Sequence, residues 1–142
     1  MAIEITQTQL ANIRYHGKSQ FPYECCGFLL GIFKNDRKQV QMLLPVDNAA
    51  AKSDSHHRFI ITAQMYVDAE KHAIRQRLNI LGFYHSHPNS TANPSHYDLT
   101  HAWIWYSYLI VSIIDGKSVE ILSWTLCEDR SSFAHEEIKI IL

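Results

Sequence analysis

Residues 25–33, CCGFLLGIF, limit the possible folds more than any other segment, because they form an apolar run without a single charge. An uninterrupted apolar run of this length is typical of a central β-strand that is covered on both faces. The charged turn NDRK at 35–38 follows, and then a second apolar run at 40–46. Two apolar runs joined by a short polar turn predict a β-hairpin in the middle of a covered sheet.

The remaining segments alternate between helix and strand patterns. Residues 6–16 and 62–78 place apolar side chains at helical spacing, each after a threonine that can cap the first turn. Residues 80–84 form an apolar strand that leads into the sequence HSHP at 85–88, where the proline ends it. We also predict a polar surface loop at 47–58 that can act as a flap, a helix from 95 to about 106, and strands at 59–61, 108–114, 119–124 and 138–142. This order predicts an α/β or α+β fold, with helices packed against the sheet.

Length and composition exclude several classes of protein. A chain of 142 residues with 46% hydrophobic content predicts one domain over residues 1–142. Thirteen basic and fourteen acidic residues are mixed along the chain, so no nucleic-acid partner is expected. The N-terminal residues lack a secretory pattern, and the longest apolar run, 102–114, is too short to cross a membrane. We therefore expect no membrane association, a cytoplasmic location and three reduced cysteines.

Two histidines stand two residues apart where the strand at 80–84 ends. On a strand, His85 and His87 point to the same face with their backbones roughly 6.5–7 Å apart, so both imidazoles can reach one metal ion. A bare His-x-His pair is nevertheless common, and two histidines that only line a polar strand end explain it equally well.

Asp98 supplies the third ligand of the predicted site, eleven residues after His87. Two imidazoles and one carboxylate leave one position of a tetrahedral zinc ion open, as catalytic zinc sites do. Ser95 and Asp98 also have the spacing of a helix capping box, so both can serve the helix alone. His96 and His101 remain alternative ligands.

Glu24 is the candidate general base. Peptide hydrolysis needs a group that takes a proton from water and returns it to the departing amine, and a carboxylate does this well. Glu24 directly precedes the buried strand pattern, where partial desolvation can raise its pKa. The alternative is an ordinary exposed glutamate in a loop.

Taken together, these residues resemble the JAMM (MPN-plus) metalloproteases. The motif residues fall in the family's order and at its intervals: Pro22-x-Glu24-Cys25-Cys26-Gly27, then His85-Ser86-His87-Pro88, then after six residues Ser95-x-x-Asp98. The flanking strands and helices extend the resemblance over essentially the whole chain.

The resemblance implies a fold, a cofactor and a reaction. The expected fold is a curved mixed β-sheet packed between helices. The expected activity is that of a zinc isopeptidase, in which His85, His87 and Asp98 bind one Zn²⁺, Glu24 is the base and Ser95 stabilises the oxyanion. The expected partner is a ubiquitin-like or sulfur-carrier protein with an extended C-terminal tail, which can bind by strand addition. The compact chain is most similar to the bacterial stand-alone members of the family.

Two other functions remain open at this point. A catalytically silent scaffold of the same fold usually lacks some of the site residues, all five of which are present here. A hydrolase with Cys25 or Cys26 as nucleophile would pair a thiol with a histidine, although a cysteine in an apolar strand behaves as a small hydrophobe. The aromatic residues Trp103, Trp105, Tyr106 and Tyr108 are expected to pack into the core rather than form an oligomer contact. His56-His57 are expected to lie in the solvated loop rather than contact a substrate.

Overall fold

A computed structural model describes residues 2–142 and contains one eight-stranded sheet and three helices. The helices are α1 (Gln7–Gln20), α2 (Ala63–Arg75) and α3 (His96–His101). The strands are β1 (Ala2–Thr6), β2 (Cys26–Lys34), β3 (Arg37–Val46), β4 (Asn79–Pro88), β5 (Ser107–Ile114), β6 (Lys117–Leu126), β7 (Phe133–Glu136) and β8 (Ile138–Ile141). The mixed architecture confirms the predicted fold class.

The strand order curves the sheet almost into a closed barrel. The order is β7-β6-β5-β4-β2-β3-β1-β8, so β7 and β8 occupy opposite edges. Only Glu137 separates these two strands along the chain, and its carbonyl accepts a 3.0 Å hydrogen bond from the Ile3 amide of β1. A one-residue connection cannot span an open eight-stranded sheet, so the two edges must lie close together.

The central strands β2 and β4 are apolar on both faces because a helix covers each face. Leu10 and Ile13 of α1 pack on one side of the sheet. Ala69 and Ala73 of α2 pack on the other side, against Phe83 of β4 and its neighbours. Side chains alternate between faces along a strand, so β4 places His85 and His87 on the same side as Phe83.

Each helix begins with a capping box, where the sequence predicts a threonine cap for α1 and α2 and a capping box for α3. The side chains of Thr6, Thr62 and Ser95 each accept a hydrogen bond from the backbone amide three residues later. The side chain at that later position returns to the cap backbone in all three helices. Capping satisfies amide groups that have no partner within the helix.

Other boundaries differ from the sequence-based predictions. The helix expected to run to about residue 106 ends at His101, because the next backbone groups bond elsewhere. Arg130 donates to the Ala102 carbonyl at 2.7 Å, and the Trp103 amide donates to the Tyr108 hydroxyl at 2.8 Å. Residues 59–61 form no strand, and β1 and β7 are strands that the sequence pattern missed.

The prediction that all four aromatic residues around this turn join the core is wrong for the two tryptophans. Trp103 is 65% exposed and Trp105 is 82% exposed, whereas Tyr108 is buried. Once the helix ends at His101, the backbone turns through a left-handed conformation at Trp105, and the tryptophans no longer face the sheet. Within residues 2–142, no helix has the length and apolar character that crossing a membrane requires.

A buried ion pair joins β3 to the far edge of the sheet. The Lys38 ammonium donates to the Ser107 hydroxyl at 2.7 Å and lies 3.5 Å from a carboxylate oxygen of Glu136. The other Glu136 oxygen accepts from Ser123 at 2.8 Å, and all four side chains are buried. This group links β3, β5, β6 and β7 through the interior of the curved sheet.

Removing the lysine from this pair should destabilise the protein strongly. Lys38→Met leaves the Glu136 carboxylate buried without a cation, and we expect a loss of about 3–5 kcal/mol in the free energy of unfolding. Urea denaturation measures this loss, and a Lys38→Met/Glu136→Gln double variant should recover much of it. Arg37→Met removes a more exposed pair with Glu4 and should cost less. Equal losses of stability for Lys38→Met and Arg37→Met would contradict the assignment of Lys38 and Glu136 as a buried ion pair.

Candidate active site

The register between β2 and β4 brings Glu24 and both histidines together. Cys26 pairs with His85 in this antiparallel ladder. The pairing extends to the residue just before β2, because the Ser86 amide donates a 3.1 Å hydrogen bond to the Cys25 carbonyl. One residue further, the same register places Glu24 opposite His87, and residues opposite each other share a face.

The three predicted ligands converge at the end of β4. His85 Nε2 and His87 Nε2 lie 3.1 Å apart, and Asp98 Oδ2 is 3.3 Å from the first and 3.1 Å from the second. All three side chains are buried. Among the described residues, this is the group of histidine, cysteine and acidic side chains close enough to hold a metal ion.

Hydrogen bonds fix the orientation of two of these ligands. His87 Nδ1 lies 2.7 Å from the Thr91 carbonyl, which can only accept, so Nδ1 carries the proton and Nε2 offers its lone pair to the site. Asp98 Oδ2 accepts from the Ser95 amide at 2.9 Å. The capping box therefore holds the third ligand, and the helix-cap and metal-site interpretations of Ser95 and Asp98 are compatible.

Packing, rather than a hydrogen bond, orients His85. Its Nδ1 atom is buried without a hydrogen-bond partner among the described residues. The ring of Phe59 stacks on the imidazole with ring centres 4.4 Å apart and planes inclined by 27°. Phe59 thus fixes a ligand from the loop between β3 and α2.

The electrostatics of the three side chains favour an ionised aspartate. Burial alone would raise the pKa of Asp98, but His85 and His87 beside it hold that pKa well below its usual value. Burial lowers the pKa of His85. Burial also opposes the charged form of His87, but Asp98, Glu24 and the Thr91 carbonyl together outweigh it and raise the pKa of His87.

Glu24 is a buried carboxyl group that lacks a partner. Burial raises its pKa to about 8; His87 opposes this rise and the Asp98 carboxylate adds to it. Its Oε1 atom has no hydrogen-bond partner among the described residues. An unpaired buried carboxyl group is costly, and such groups are concentrated at functional sites.

The donor set fits one divalent metal ion. Two imidazole nitrogens and a carboxylate converge within ligand distance of one another, and two of the three are oriented by hydrogen bonds outside the cluster. Three electronegative atoms packed this closely repel one another unless a proton or a metal cation lies between them. The alternative ligands His96 and His101 are exposed and lie outside this group.

The cysteines next to Glu24 are poor nucleophiles. Cys25 and Cys26 are buried, and Cys25 packs in the apolar cluster under α1. Burial raises the pKa of Cys25 to about 11 and moves the pKa of Cys26 upward as well. Because the thiolate is the reactive form, both thiols are inert at neutral pH.

A large apolar pocket opens beside the ligands. Its volume is about 850 Å³, and Asp98 and Phe59 form one edge of it. Aromatic side chains from α2, β4, β5 and the turn after α3 form much of the remaining wall, among them Tyr66, Phe83, Trp103 and Tyr106. A hydrophobic cleft with few polar groups next to a reactive centre is typical of a binding site.

Sequence reasoning missed the residues that support the site from loops. Thr91 acts through its backbone carbonyl, which any residue supplies. Phe59 was assigned to a short strand, and its stacking on His85 spans 26 positions of the chain. His56 of the predicted flap packs against Tyr23 with ring centres 4.8 Å apart, so the flap lies over the segment that carries Glu24.

Comparison with known proteins agrees with the fold and the site. Residues 6–127 match the family described as prokaryotic homologs of the JAB domain. The chain is 31% identical over 131 residues to a desampylase from Haloferax volcanii, which covers 92% of this chain and 90% of that protein. The chain therefore belongs to the prokaryotic JAB-domain family, as its resemblance to the JAMM (MPN-plus) proteins predicts.

Solved structures show the same fold. A protein from Desulfitobacterium hafniense superposes with a TM-score of 0.84 at 29% identity, covering 98% of this chain and 92% of that one. A protein from Salinibacter ruber gives 0.76 at 36% identity, covering 99% and 92%. A JAB1/MPN domain protein from Archaeoglobus fulgidus gives 0.59 at 18% identity, covering 100% and 97%, and this match supports the fold alone.

The raised pKa of Glu24 predicts a pH-dependent effect of neutralising it in the metal-free protein. The unfolded chain loses this proton near pH 4.5, but the folded protein keeps it up to about pH 8, so Glu24 destabilises the fold increasingly over that range. Glu24→Gln should therefore raise Tm little at pH 5, increasingly towards pH 8, and by a constant amount above.

Thermal unfolding of chelator-treated protein from pH 5 to pH 9 measures this difference. Glu128→Gln, at an exposed position, is the matched control and should leave the pH profile of Tm unchanged. A Tm difference between variant and wild type that is the same at every pH would show that folding does not raise the pKa of Glu24.

Proposed function

We propose that this protein is a zinc-dependent hydrolase that cuts the peptide or isopeptide bond following the C-terminal tail of a ubiquitin-like or sulfur-carrier protein. The observation that carries this proposal is the buried cluster of His85, His87 and Asp98 with the unpaired carboxyl group of Glu24 opposite His87. A metal-ligand triad beside a carboxyl group of raised pKa supplies the two components that metal-assisted hydrolysis needs.

The ligand set favours zinc over other common divalent ions. Two imidazoles and one carboxylate suit zinc, whereas magnesium and calcium prefer oxygen ligands. In this site, zinc would supply a Lewis acid that polarises the scissile carbonyl and lowers the pKa of water.

Glu24 moves the proton. It accepts a proton from the attacking water as the water oxygen bonds to the carbonyl carbon. It then donates that proton to the amine nitrogen as the carbon–nitrogen bond breaks, so the products are a carboxylic acid and a free amine. A carboxylate whose pKa is raised by burial is a stronger base than an exposed one, which favours its taking the proton from water.

Ser95 is the proposed oxyanion donor. Its oxygen accepts the Asp98 amide hydrogen bond at 3.0 Å, which leaves the hydroxyl proton free to be donated. The residue is exposed, although Asp98 beside it is buried, so a substrate carbonyl can reach the hydroxyl. A donor fixed before the reaction stabilises negative charge that develops on that carbonyl oxygen.

The substrate class rests on two observations. The chain is similar over nine tenths of its length to a desampylase, a name that denotes action on conjugates of a ubiquitin-like protein. The apolar pocket beside Asp98 can hold apolar side chains of an extended tail whose last peptide bond reaches the ligands. An extended tail also exposes backbone groups that can pair with the protein.

The two alternative functions have less support. A silent scaffold does not need an unpaired carboxyl group of raised pKa beside three converging ligands. Keeping such a carboxyl group buried costs free energy that only a function would justify. A cysteine nucleophile would require a thiolate, and burial disfavours the thiolate at Cys25 and Cys26.

The central test separates metal binding from proton transfer. Zinc-loaded wild type and Glu24→Gln are compared by metal analysis and by cleavage of ubiquitin and sulfur-carrier proteins fused through their C-terminal tails to a reporter. We expect both proteins to bind one zinc ion. Because the variant lacks the base, its kcat should fall by about 10²–10⁴.

The control for this experiment is Glu128→Gln, which should cleave like wild type. Wild-type kcat in Glu24→Gln would remove Glu24 from the mechanism. A purified chain that takes up no zinc would remove the metal site, and inhibition by thiol reagents with no effect of chelators would favour the cysteine mechanism.

Ser95 combines a cap with the proposed oxyanion role, and a glycine substitution separates the two. Glycine costs a helix cap only a few tenths of a kcal/mol, so Ser95→Gly should retain nearly all of the stability of the protein. Loss of an oxyanion donor should lower kcat by about 10²–10³. Steady-state kinetics and urea denaturation provide the two measurements.

Thr6→Ala is the matched control, because Thr6 caps α1 in the same way and belongs neither to the apolar pocket nor to the ligand cluster. It should lose about 1 kcal/mol of stability and keep its kcat. If Ser95→Gly retains wild-type kcat, Ser95 is a cap alone.

A further inference from the structure

One side chain, Asn48, lies just beyond the end of β3 and uses both ends of its amide. Its Nδ2 donates to the Glu24 carbonyl at 3.1 Å and to the Arg58 carbonyl at 2.8 Å. Its Oδ1 accepts from the Ala50 amide at 2.9 Å and from the Ile60 amide at 3.0 Å. A single half-buried asparagine thus joins four backbone positions on three different segments.

The first of these segments is the one that carries the proposed base. The Glu24 amide donates to the Ser55 carbonyl at 2.6 Å, and the Glu24 carbonyl accepts from Asn48. The backbone of Glu24 is therefore held on both sides by the loop between β3 and α2. Glu24 lies before the first residue of β2, so these bonds hold it in place of a regular strand ladder.

The second segment carries Phe59, the residue that stacks on His85. The backbone groups on either side of Phe59, the Arg58 carbonyl and the Ile60 amide, both bond to Asn48. The nearby Ile60 carbonyl also accepts from the Ala49 amide at 3.0 Å. Hydrogen bonds therefore fix the backbone directly before and after Phe59, whose ring covers His85.

Asparagine is suited to this position because it both donates and accepts. Aspartate has a similar shape and keeps the acceptor for the Ala50 and Ile60 amides, but it offers only oxygens to the two carbonyls. The loop at 47–62 contains no strand or helix, and most of its side chains are polar, so side-chain hydrogen bonds provide much of its order.

We propose that Asn48 is a positioning residue for hydrolysis: it sets the location of Glu24 relative to the metal ligands by tying its backbone to the Phe59 segment. This inference rests on the proposed function, in which Glu24 is the base. Asn48 does not touch the reacting atoms and acts through Glu24. A misplacement of about 1 Å at a reacting group can cost 10²-fold in rate.

Two substitutions test the role. Asn48→Ala removes all four hydrogen bonds, and Asn48→Asp removes only the two donated ones. Both variants should bind one zinc ion and show kcat lowered about 10- to 100-fold, with KM changed by less than about threefold, because Glu24 acts in the chemical step. The aspartate variant keeps the two accepted hydrogen bonds, so a lower kcat in that variant does not result from unfolding of the whole loop.

A second readout does not depend on activity. Amide hydrogen exchange at Ile60 should accelerate in Asn48→Ala, which loses the acceptor, and stay near the wild-type rate in Asn48→Asp, which keeps it. Asn12→Ala and Asn12→Asp are the matched controls, since Asn12 is exposed on α1, on the opposite face of the sheet. These controls should change neither kcat nor the exchange rate at Ile60.

A double variant shows whether Asn48 acts through Glu24. If it does, Asn48→Asp in the Glu24→Gln background causes no further loss of single-turnover rate, because the base is already absent. The same fold loss in both backgrounds would overturn the inference, and so would wild-type kcat in Asn48→Asp.

The failure of this inference can be distinguished from the failure of the proposed function. If Glu24→Gln is inactive and Asn48→Asp is fully active, Glu24 is the base and only the role of Asn48 is wrong. If Glu24→Gln is fully active, the proposed base is wrong, and the role of Asn48 is wrong with it.

Discussion

The antiparallel pairing of β2 with β4 is the interaction on which the rest of the site depends. Because Cys26 lies opposite His85, the segment before β2 runs alongside the end of β4, and Glu24 faces His87. A shift of one residue in this register would turn Glu24 or the histidines to the face covered by α1. The pairing of Gly27 with Tyr84 opposes such a shift, because any side chain in place of the glycine would collide with the Tyr84 ring.

The site is buried, so nearly every polar atom in it needs a partner. Ser86 points away from the ligands and accepts from the Cys25 amide at 2.8 Å, which fastens the two strands beside the site. The Thr91 carbonyl provides a hydrogen-bond partner for His87, and the Ser95 amide of the capping box provides one for Asp98. Within residues 2–142, Glu24 Oε1 and His85 Nδ1 find no hydrogen-bond partner, and both belong to side chains on which the proposed chemistry depends. Burial without a partner raises the pKa of Glu24, which suits the proton transfer proposed for it.

Local patterns in the sequence predict the central strands and the helix caps. The apolar runs gave the central strands, because a strand covered on both faces cannot contain charges. The caps at Thr62 and Ser95 follow from bonds within four residues, so the sequence predicts them directly. The end of α3 at His101 depends on Arg130, 28 positions after Ala102, and no local pattern contains that contact. The exposure of Trp103 and Trp105 follows from the same distant contact.

The sequence by itself determined which residues are the proposed ligands and the proposed base, because their order and spacing resemble those of the JAMM (MPN-plus) family. It also determined the mixed fold, through the alternation of apolar runs and capped helices. Only the tertiary structure decided what surrounds these residues. The stacking of Phe59 on His85 and the four hydrogen bonds of Asn48 join segments up to 26 positions apart. Such contacts form only when the curved sheet brings its loops together, and so they leave no periodic signal in the sequence.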